Sequence, residues 1–271
     1  MKSNKTELSN ILVERNTLTS NFLEREVITD AYLPVNIKRP QEMSLLLIND
    51  GQDLPKMPFE EILNELLEQG KIEPVVCIGI HCSADRKMEY GVAGQPDYKG
   101  RGIKATAYTS FIFNELLPFI HEVYNVPSFK EKSFAGFSLG GLSALDIVWN
   151  HPEEFSNVGV FSGSLWWRSR GYREGYDDNK HRIILQQIKK GNFYPWLKFF
   201  FECGVLDEKA DRNNNGVIDA IDDTLDLIKE LKQKGYADSS IKYLELKDGR
   251  HDVDTWAKAF PDFLKWSWPK L

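Results

Sequence analysis

The chain has 271 residues, 42% of them hydrophobic, and a formal net charge of −6. This acidic balance argues against nucleic acid or an anionic membrane as a partner, and the length suits one α/β domain over residues 1–271. The sequence has no apolar run long enough to span a bilayer, and its first residues lack the apolar core of a secretory signal. Its cysteines, Cys77, Cys82 and Cys203, lack metal-site spacing. We therefore expect reduced thiols in a cytoplasmic protein.

The first half of the chain alternates extended segments with helical ones. Residues 10–20 and 24–33 alternate apolar and polar side chains around a short turn, which is typical of an antiparallel hairpin. Apolar runs predict buried strands, and apolar residues at helical spacing predict helices. The strands are 44–48 and 74–80, and the helices are 59–67 and 105–124, the second with a kink at Pro118. Residues 82–101, rich in Gly, Asp and Tyr, predict a long surface loop.

The second half repeats this alternation from a strand at 132–135 onwards. Further strands are predicted at 157–162, 196–203 and 241–246, and helices at 181–189, 221–234 and 253–266. A charged loop is predicted at 168–178. Buried strands that alternate with helices predict a mainly parallel central sheet, with the antiparallel hairpin at its start and helices on both faces. A ligand site is then expected at the carboxyl ends of the strands.

The sequence G-x-S-x-G stands between a predicted strand and a predicted helix, at Gly136, Ser138 and Gly140. In this context the serine occupies a strained turn, so the residues two positions away on either side must lack a Cβ atom. The N-terminus of the helix and the N–H of Leu139 favour negative charge near the serine oxygen. The pattern predicts that Ser138 is a nucleophile and that the Leu139 N–H stabilises an oxyanion.

A serine nucleophile needs a histidine base and an acid that orients the histidine. In α/β-hydrolases the acid and then the histidine follow the serine along the chain. Of the five histidines, only His251 lies after the serine in a turn that follows a late strand. The acid should follow the strand 196–203, which favours Asp207, with Glu208 and Asp211 as alternatives.

Two further features predict groups around the serine. A second oxyanion donor should follow the strand 44–48, and we favour the N–H of Gln52, although a simple Asp-Gly turn explains these residues almost as well. The tandem pair Trp166 and Trp167 follows the strand 157–162 and predicts an aromatic wall for the substrate, with at least one of the two indoles in the core.

With these residues the chain resembles the esterase D and enterochelin (ferric siderophore) esterase branch of the α/β-hydrolases, which also includes mycolyltransferases. The resemblance covers residues 27–266, and its most specific parts are 136–141 and 249–252. Other matching pieces are 46–51, 115–118, 162–167 and Trp256. The resemblance implies an α/β-hydrolase fold, a Ser-acid-His triad, and hydrolysis of a small-molecule ester. An acyltransferase with the same triad, or a binding protein on a hydrolase scaffold, are the alternatives.

The charges near the predicted site and the family resemblance favour different acyl groups for the substrate. Few basic residues lie near the predicted rim, with Arg86, Arg168 and Arg173 as the candidates. An acidic chain with so few local cations favours a neutral or aromatic acyl group over a highly anionic one. The family resemblance favours siderophores instead.

An Asn- and Asp-rich insertion after Asp207 has a pattern of its own. Residues 211–222 fit the calcium-loop template D-x-[DN]-x-[DN]-G. The predicted ligands are Asp211, Asn213, Asn215, the carbonyl of Val217, Asp219 and Asp222. The last position is Asp instead of the longer Glu, and a solvated turn explains the loop equally well. Ester hydrolysis itself requires no cofactor, so a structural Ca²⁺ is the only metal that we predict.

Overall fold

A computed structural model of the protein describes residues 10–35 and 43–270. Its strands are β1 (Ile11–Ser20), β2 (Arg25–Pro34), β3 (Ser44–Asn49), β4 (Val75–Ile80), β5 (Lys132–Phe137), β6 (Asn157–Phe161), β7 (Lys198–Leu206) and β8 (Ile241–Arg250). They form one sheet in the order β1-β2-β4-β3-β5-β6-β7-β8. The hairpin β1–β2 joins β4 in antiparallel fashion, and β3 to β8 pair in parallel. The predicted mainly parallel sheet with an antiparallel N-terminal hairpin is confirmed.

Helices cover both faces of this sheet, as predicted. They are α1 (Phe59–Glu68), α2 (Arg86–Glu89), α3 (Ala105–Phe111), α4 (Leu117–Val123), α5 (Leu139–Asn150), α6 (Asp178–His181), α7 (Ile183–Lys190), α8 (Asp219–Lys234) and α9 (Val253–Ser267). Side chains alternate between the faces along each strand. In β7, for example, Phe199 and Phe201 join the core under α5, α7 and α8, whereas Phe200 joins the core under α1 and α9.

The two strands that end nearest the predicted acid and base run further than their sequences indicated. β7 continues to Leu206 and β8 to Arg250, and these two residues pair with each other after a register shift that begins at Gly204. Asp207 and His251 are therefore the first residues after paired positions of adjacent parallel strands. This pairing brings two residues that lie 44 positions apart in the sequence to one end of the sheet.

The segment 82–101 differs from the predicted surface loop. It contains α2, and Tyr90, Val92 and Asp97 are buried in it. The ring of Tyr90 packs against Tyr108 of α3 at a centroid distance of 5.1 Å. The prediction was wrong for the centre of the segment because its burial comes from tertiary packing, which leaves no periodic pattern in the sequence.

The long helix predicted at 105–124 is continuous but not uniform. A π-helical turn, Ile112–Leu116, separates α3 from α4 and ends two residues before Pro118. Pro118 has no N–H to donate to the carbonyl one turn before it, and a wider turn accommodates that loss at the position of the predicted kink.

The three cysteines lie in or near strands of the sheet. Cys77 and Cys203 are buried in β4 and β7, and all three cysteines are free. In the described part of the chain, no helix is both long enough and apolar enough to cross a membrane. Residues 1–9, on which the expectation about a secretory signal depends, lie outside the described residues.

Candidate active site

Ser138 occupies a sharp turn between β5 and α5. Its backbone has φ 55° and ψ −119°, a conformation that residues with a side chain rarely adopt. A Cβ atom at Gly136 would lie 2.3 Å from the carbonyl oxygen of Gly140, and one at Gly140 would lie 2.9 Å from Cβ of Asn49. The strand and the helix thus approach so closely that only glycine fits at both positions, as the G-x-S-x-G pattern predicted.

Hydrogen bonds of the backbone hold this turn on the sheet. The N–H of Ser138 donates to the carbonyl of Phe161 in β6 at 2.8 Å, and the carbonyl of Ser138 accepts from the N–H of Ser164 at 3.0 Å. The strain at Ser138 is therefore maintained by bonds to a neighbouring strand and to the loop after it, which fixes the position of the hydroxyl group.

Ser138, Asp207 and His251 line one cavity of about 280 Å³ at the carboxyl ends of β5, β7 and β8. Its other lining residues are Ser162, Gly163, Ser164, Trp166, Glu208 and Ala220. The Ser138 hydroxyl lies 3.4 Å from Oγ of Ser164. Neither carboxylate oxygen of Asp207 has a hydrogen-bond partner within residues 10–35 and 43–270. The three residues thus share a cavity, and among the described residues no side-chain hydrogen bond joins Asp207 to His251.

The cavity shifts the protonation equilibria of both its acid and its histidine. Desolvation lowers the pKa of His251, although the residue as a whole is partly exposed. The negative charge of Asp207 raises this pKa, and the positive charge of Arg86 lowers it further. The imidazole is therefore neutral at pH 7, which is the form that accepts a proton. Desolvation raises the pKa of Asp207, and the Ser162 hydroxyl and His251 counteract this effect.

The alternative acids differ in position. Glu208 lines the same cavity as Asp207, and burial raises the pKa of its carboxyl. The carboxylate of Asp211 instead accepts the backbone N–H groups of Asn215 and Gly216 within its own loop, and Asp211 does not line the cavity. Position alone therefore leaves Asp207 and Glu208 as the acids near Ser138.

The two predicted oxyanion donors are placed differently. The N–H of Leu139 belongs to the first turn of α5, where no carbonyl of the helix can accept it. Gln52 lies in a 3₁₀ helix, Gly51–Lys56, after β3. The side-chain oxygen of Gln52 accepts the N–H of Cys82 at 3.0 Å, and Gln52 is not among the residues that line the cavity. Leu139 is thus adjacent to Ser138, and the oxyanion roles of Leu139 and Gln52 stay predictions.

Sequence reasoning missed an ion pair beside the turn. The guanidinium of Arg86 donates to both carboxylate oxygens of Asp50 at 2.6 and 2.7 Å, and to the carbonyl of Phe137 at 3.3 Å. Asp50 has φ 61°, so the Asn-Asp-Gly sequence was a signal for an unusual turn at this position. The pair connects the end of β3 to the residue before Ser138.

The tandem tryptophans have separate roles. Trp166 is half-buried and lines the cavity of Ser138. Trp167 is fully buried, its indole N–H donates to the carbonyl of Gln95 at 3.1 Å, and its ring leaves no room for a Cβ atom at Gly91. Trp167 belongs to the core, which corrects its assignment to the substrate site.

A second cavity, of about 260 Å³, shares Trp166 and Glu208 with the first. Its remaining lining residues are Tyr98, Lys99, Arg101, Arg168, Tyr172, Ala210 and Asp219. Arg168 is only 9% exposed, and its guanidinium lies 4.0 Å from the ring centroid of Tyr172. Within the described chain it has no carboxylate partner, and its Nε has no acceptor. The expectation of few local cations is therefore wrong for this cavity, since Lys99 and Arg101 were not foreseen.

Residues 211–218 of the insertion form a compact turn, and residues 219–222 are the first turn of α8. Four of the predicted calcium ligands share one hydrogen-bond network, namely Asp211, Asn213, Asn215 and Asp222. Asp219 instead accepts the backbone N–H of Arg212 at 2.8 Å, while the N–H of Val217 donates to Asn215. Among the described residues, no group of three or more His, Cys, Asp or Glu is arranged to hold a metal. Two carboxylates, two amides and one carbonyl remain as ligands, so calcium binding stays a prediction.

Comparisons with known proteins agree with this architecture. The chain is 23% identical over 257 residues to the uncharacterized protein YjcH of Bacillus subtilis, covering 93% of this chain and 96% of that protein. It is 26% identical over 220 residues to the iron(III) enterobactin esterase of Escherichia coli K12, covering 80% of this chain and 47% of that enzyme. The chain thus spans about half the length of the enterobactin esterase that it matches.

Solved structures and a family model extend the comparison. The crystal structure of enterochelin esterase from Shigella flexneri matches 96% of this chain and 58% of its own with a TM-score of 0.73 at 21% identity. The siderophore hydrolase EstB from Aspergillus nidulans matches 100% of this chain and 99% of its own with a TM-score of 0.70 at 17% identity. These likenesses show an α/β-hydrolase fold. The family model described as "Putative esterase" matches residues 20–267, and the chain therefore belongs to this esterase family.

Proposed function

We propose that the chain hydrolyses carboxylic esters through an acyl-enzyme on Ser138. The serine oxygen attacks the acyl carbon while His251 takes the serine proton, and the tetrahedral intermediate expels the alcohol as His251 returns that proton to it. Water then attacks the acyl-enzyme by the same route, which releases the acid and the free serine. Asp207 holds the imidazole in the required tautomer. The observation that carries this proposal is the strained Ser138 in one cavity with His251 and Asp207.

The oxyanion of the tetrahedral intermediate needs donors that are already in place. In this proposal the N–H of Leu139 is one donor and the N–H of Gln52 is the second. A donor of this kind contributes on the order of 3 kcal/mol to the stabilisation of the transition state. The positive end of α5 adds to the same effect, since Ser138 immediately precedes the helix.

For the substrate we propose a small-molecule ester with an aromatic acyl group that carries oxygen acceptors. Trp166 lines both cavities and offers a surface for stacking, and Arg168 beside it has a guanidinium without a carboxylate partner among the described residues. A buried guanidinium of this kind favours an oxygen acceptor from a ligand. Proteins of similar fold include enterobactin esterases and a ferulic acid esterase.

The test is covalent trapping of the nucleophile. A fluorophosphonate probe should add one mass equivalent to the protein, and peptide mapping should place the adduct on Ser138. Ser138→Ala should lose both the adduct and the burst of p-nitrophenol from p-nitrophenyl acetate, with an unchanged circular dichroism spectrum. Ser164→Ala is the matched control, because its hydroxyl lies 3.4 Å from that of Ser138, and it should keep the adduct.

Two outcomes would contradict the proposal. One is full turnover by Ser138→Ala, and the other is an adduct on Ser164 that persists in that variant. Analysis of the products in the presence of added alcohols separates hydrolysis from acyl transfer, since a transferase would form a new ester in place of the free acid.

A further inference from the structure

A second buried carboxyl lies beside the predicted triad acid. Glu202 in β7 has no exposed surface, and both of its carboxyl oxygens are buried without a hydrogen-bond partner among the described residues. The same is true of both carboxyl oxygens of Asp207. Buried carboxylates without donors are costly, so two of them in one place require an explanation.

The geometry of β7 makes these two carboxyls neighbours. Glu202 and Gly204 project from the same face of the strand, because successive side chains alternate between faces. A Cβ atom at Gly204 would lie 2.7 Å from Oδ1 of Asp207, so the Asp207 carboxylate occupies the space of the missing side chain. Positions two residues apart on a strand are separated by about 7 Å, which the side chain of Glu202 can span.

Ser162 adjoins both carboxyls and cannot satisfy both. Its N–H donates to the backbone carbonyl of Glu202 at 2.9 Å, and its hydroxyl lowers the pKa of Glu202 and of Asp207. The Ser162 oxygen already accepts the indole N–H of Trp256 at 2.9 Å. The single hydroxyl proton therefore serves one carboxyl at a time, and a second proton is needed between the two acids.

We propose that Glu202 is a positioning residue that stays protonated in the working enzyme and donates its O–H to the carboxylate of Asp207. The inference rests on the proposed function, since it assigns Asp207 as the acid of the triad. A hydrogen bond from Glu202 would hold the Asp207 carboxylate toward His251 and would remove one unsatisfied donor and one unsatisfied acceptor from the core.

The charges around Glu202 agree with this assignment of the proton. Desolvation raises the pKa of Glu202 to about 8, and the charges of Asp207 and Asp252 act in the same direction, whereas the backbone N–H and the hydroxyl of Ser162 lower this pKa. Tyr243 of β8 and Cys203 of β7 lie on the opposite face of the sheet, and the Glu202 charge raises the pKa of both. Asp207 has the cationic form of His251 to lower its own pKa, so Asp207 is the member of the pair that ionises first.

The proposal gives a pH dependence with a definite sign. Below pH 8 Glu202 is protonated and donates to Asp207. Above this pH Glu202 loses its proton, so the bond becomes a repulsion between two carboxylates and the position of Asp207 is no longer held. The value of kcat/KM should therefore fall as the pH rises through about 8.

Two substitutions of Glu202 distinguish the effect of its hydrogen-bond donor from the effect of its size. Glu202→Gln retains a neutral donor at every pH, so kcat/KM at pH 7 should stay within about threefold of the wild-type value and the fall above pH 8 should disappear. Glu202→Leu has no donor, so kcat/KM should fall about 10- to 100-fold across the pH range. Thermal unfolding of both variants controls for folding.

A spectroscopic measurement does not depend on activity. The infrared spectrum of the wild-type protein at pH 7 should contain the carbonyl band of a protonated carboxyl, and the difference spectrum against Glu202→Gln should assign that band to Glu202. Absence of the band, or an unchanged fall of kcat/KM above pH 8 in Glu202→Gln, overturns the inference. If Glu202→Leu does not fold, the infrared band and the pH profile of Glu202→Gln still test the proposal. If the wild-type protein cleaves no ester, the proposed function fails while the band still tests the proton on Glu202.

Discussion

Two carboxyls, Asp207 and Glu208, follow β7 directly, and both line the cavity of Ser138. Only one of them can hold the imidazole of His251. Asp207 is the first residue after the pair Leu206–Arg250, as His251 is on the other strand. The charges of Asp207 and His251 also affect each other's pKa in opposite directions, which is the relation of an acid to the base that it orients.

We therefore predict that Asp207→Asn lowers kcat for p-nitrophenyl acetate by about 10⁴-fold, because an amide stabilises the wrong histidine tautomer and cannot stabilise the imidazolium. Glu208→Gln is the matched control and should lower kcat by less than about tenfold. Steady-state kinetics on variants with native circular dichroism spectra check this prediction. A larger loss for Glu208→Gln than for Asp207→Asn would transfer the role to Glu208.

At the scale of elements, the loop after β6 turns one side chain into the cavity and the next into the core. Trp166 lines both cavities, and Trp167 packs beneath them against Gly91 and Gly102. The loop has no regular secondary structure at this point, so neighbouring residues are free to point in unrelated directions.

We predict that the two tryptophans affect different quantities. Trp166→Ala should lower kcat/KM for an aromatic ester by about fivefold, since stacking contributes about 1 kcal/mol, while an acetyl ester is little affected. Trp167→Ala should lower the free energy of unfolding by about 3–5 kcal/mol, because it removes a fully buried indole. Urea denaturation and kinetics on both variants measure the two effects. Equal losses on both esters for Trp166→Ala would contradict the role of this residue in specificity.

The strands were predictable because apolar runs end at recognisable turn residues, and the sharp turn at Ser138 was predictable because Gly136, Ser138 and Gly140 obey a steric rule. His251 followed from chain order. The roles of Trp166 and Trp167 were not separable, since one residue of shift in an irregular loop leaves no periodic signal. The burial of Tyr90 could not be predicted either, because it depends on packing against α3.

At the scale of the whole molecule, the charges of the insertion 211–222 can affect the free energy of unfolding. Its last four residues begin α8, whose Leu227, Ile228 and Leu231 belong to the core over the sheet. Asp211 and Asp222 lie in one hydrogen-bond network, and a divalent cation would relieve the repulsion between their charges. Any ion bound only by the folded chain raises its stability by mass action.

We predict that Ca²⁺ raises the melting temperature of the metal-free protein and that EDTA reverses this effect. At a calcium concentration 100 times the dissociation constant, the stabilisation would be about 2.7 kcal/mol. Asp211→Ala should remove the response to calcium. Lys232→Ala is the control, because Lys232 lies in the last turn of α8, outside the loop. This variant should keep the response to calcium. Identical melting curves with Ca²⁺ and with EDTA would identify the loop as a solvated turn.

The close contact between β5 and α5 around Ser138 also limits which substitutions this chain can accept during evolution. A side chain at Gly136 would clash with the backbone of Gly140, and one at Gly141 would clash with the backbone of Gly136. Substitution of either glycine is therefore sterically excluded. The turn that carries Ser138 is therefore sterically constrained, whereas the segments that carry Lys99, Arg101, Trp166 and Arg168 are not part of this contact. Relatives at about one fifth identity can therefore keep the same fold while the names given to them refer to different esters.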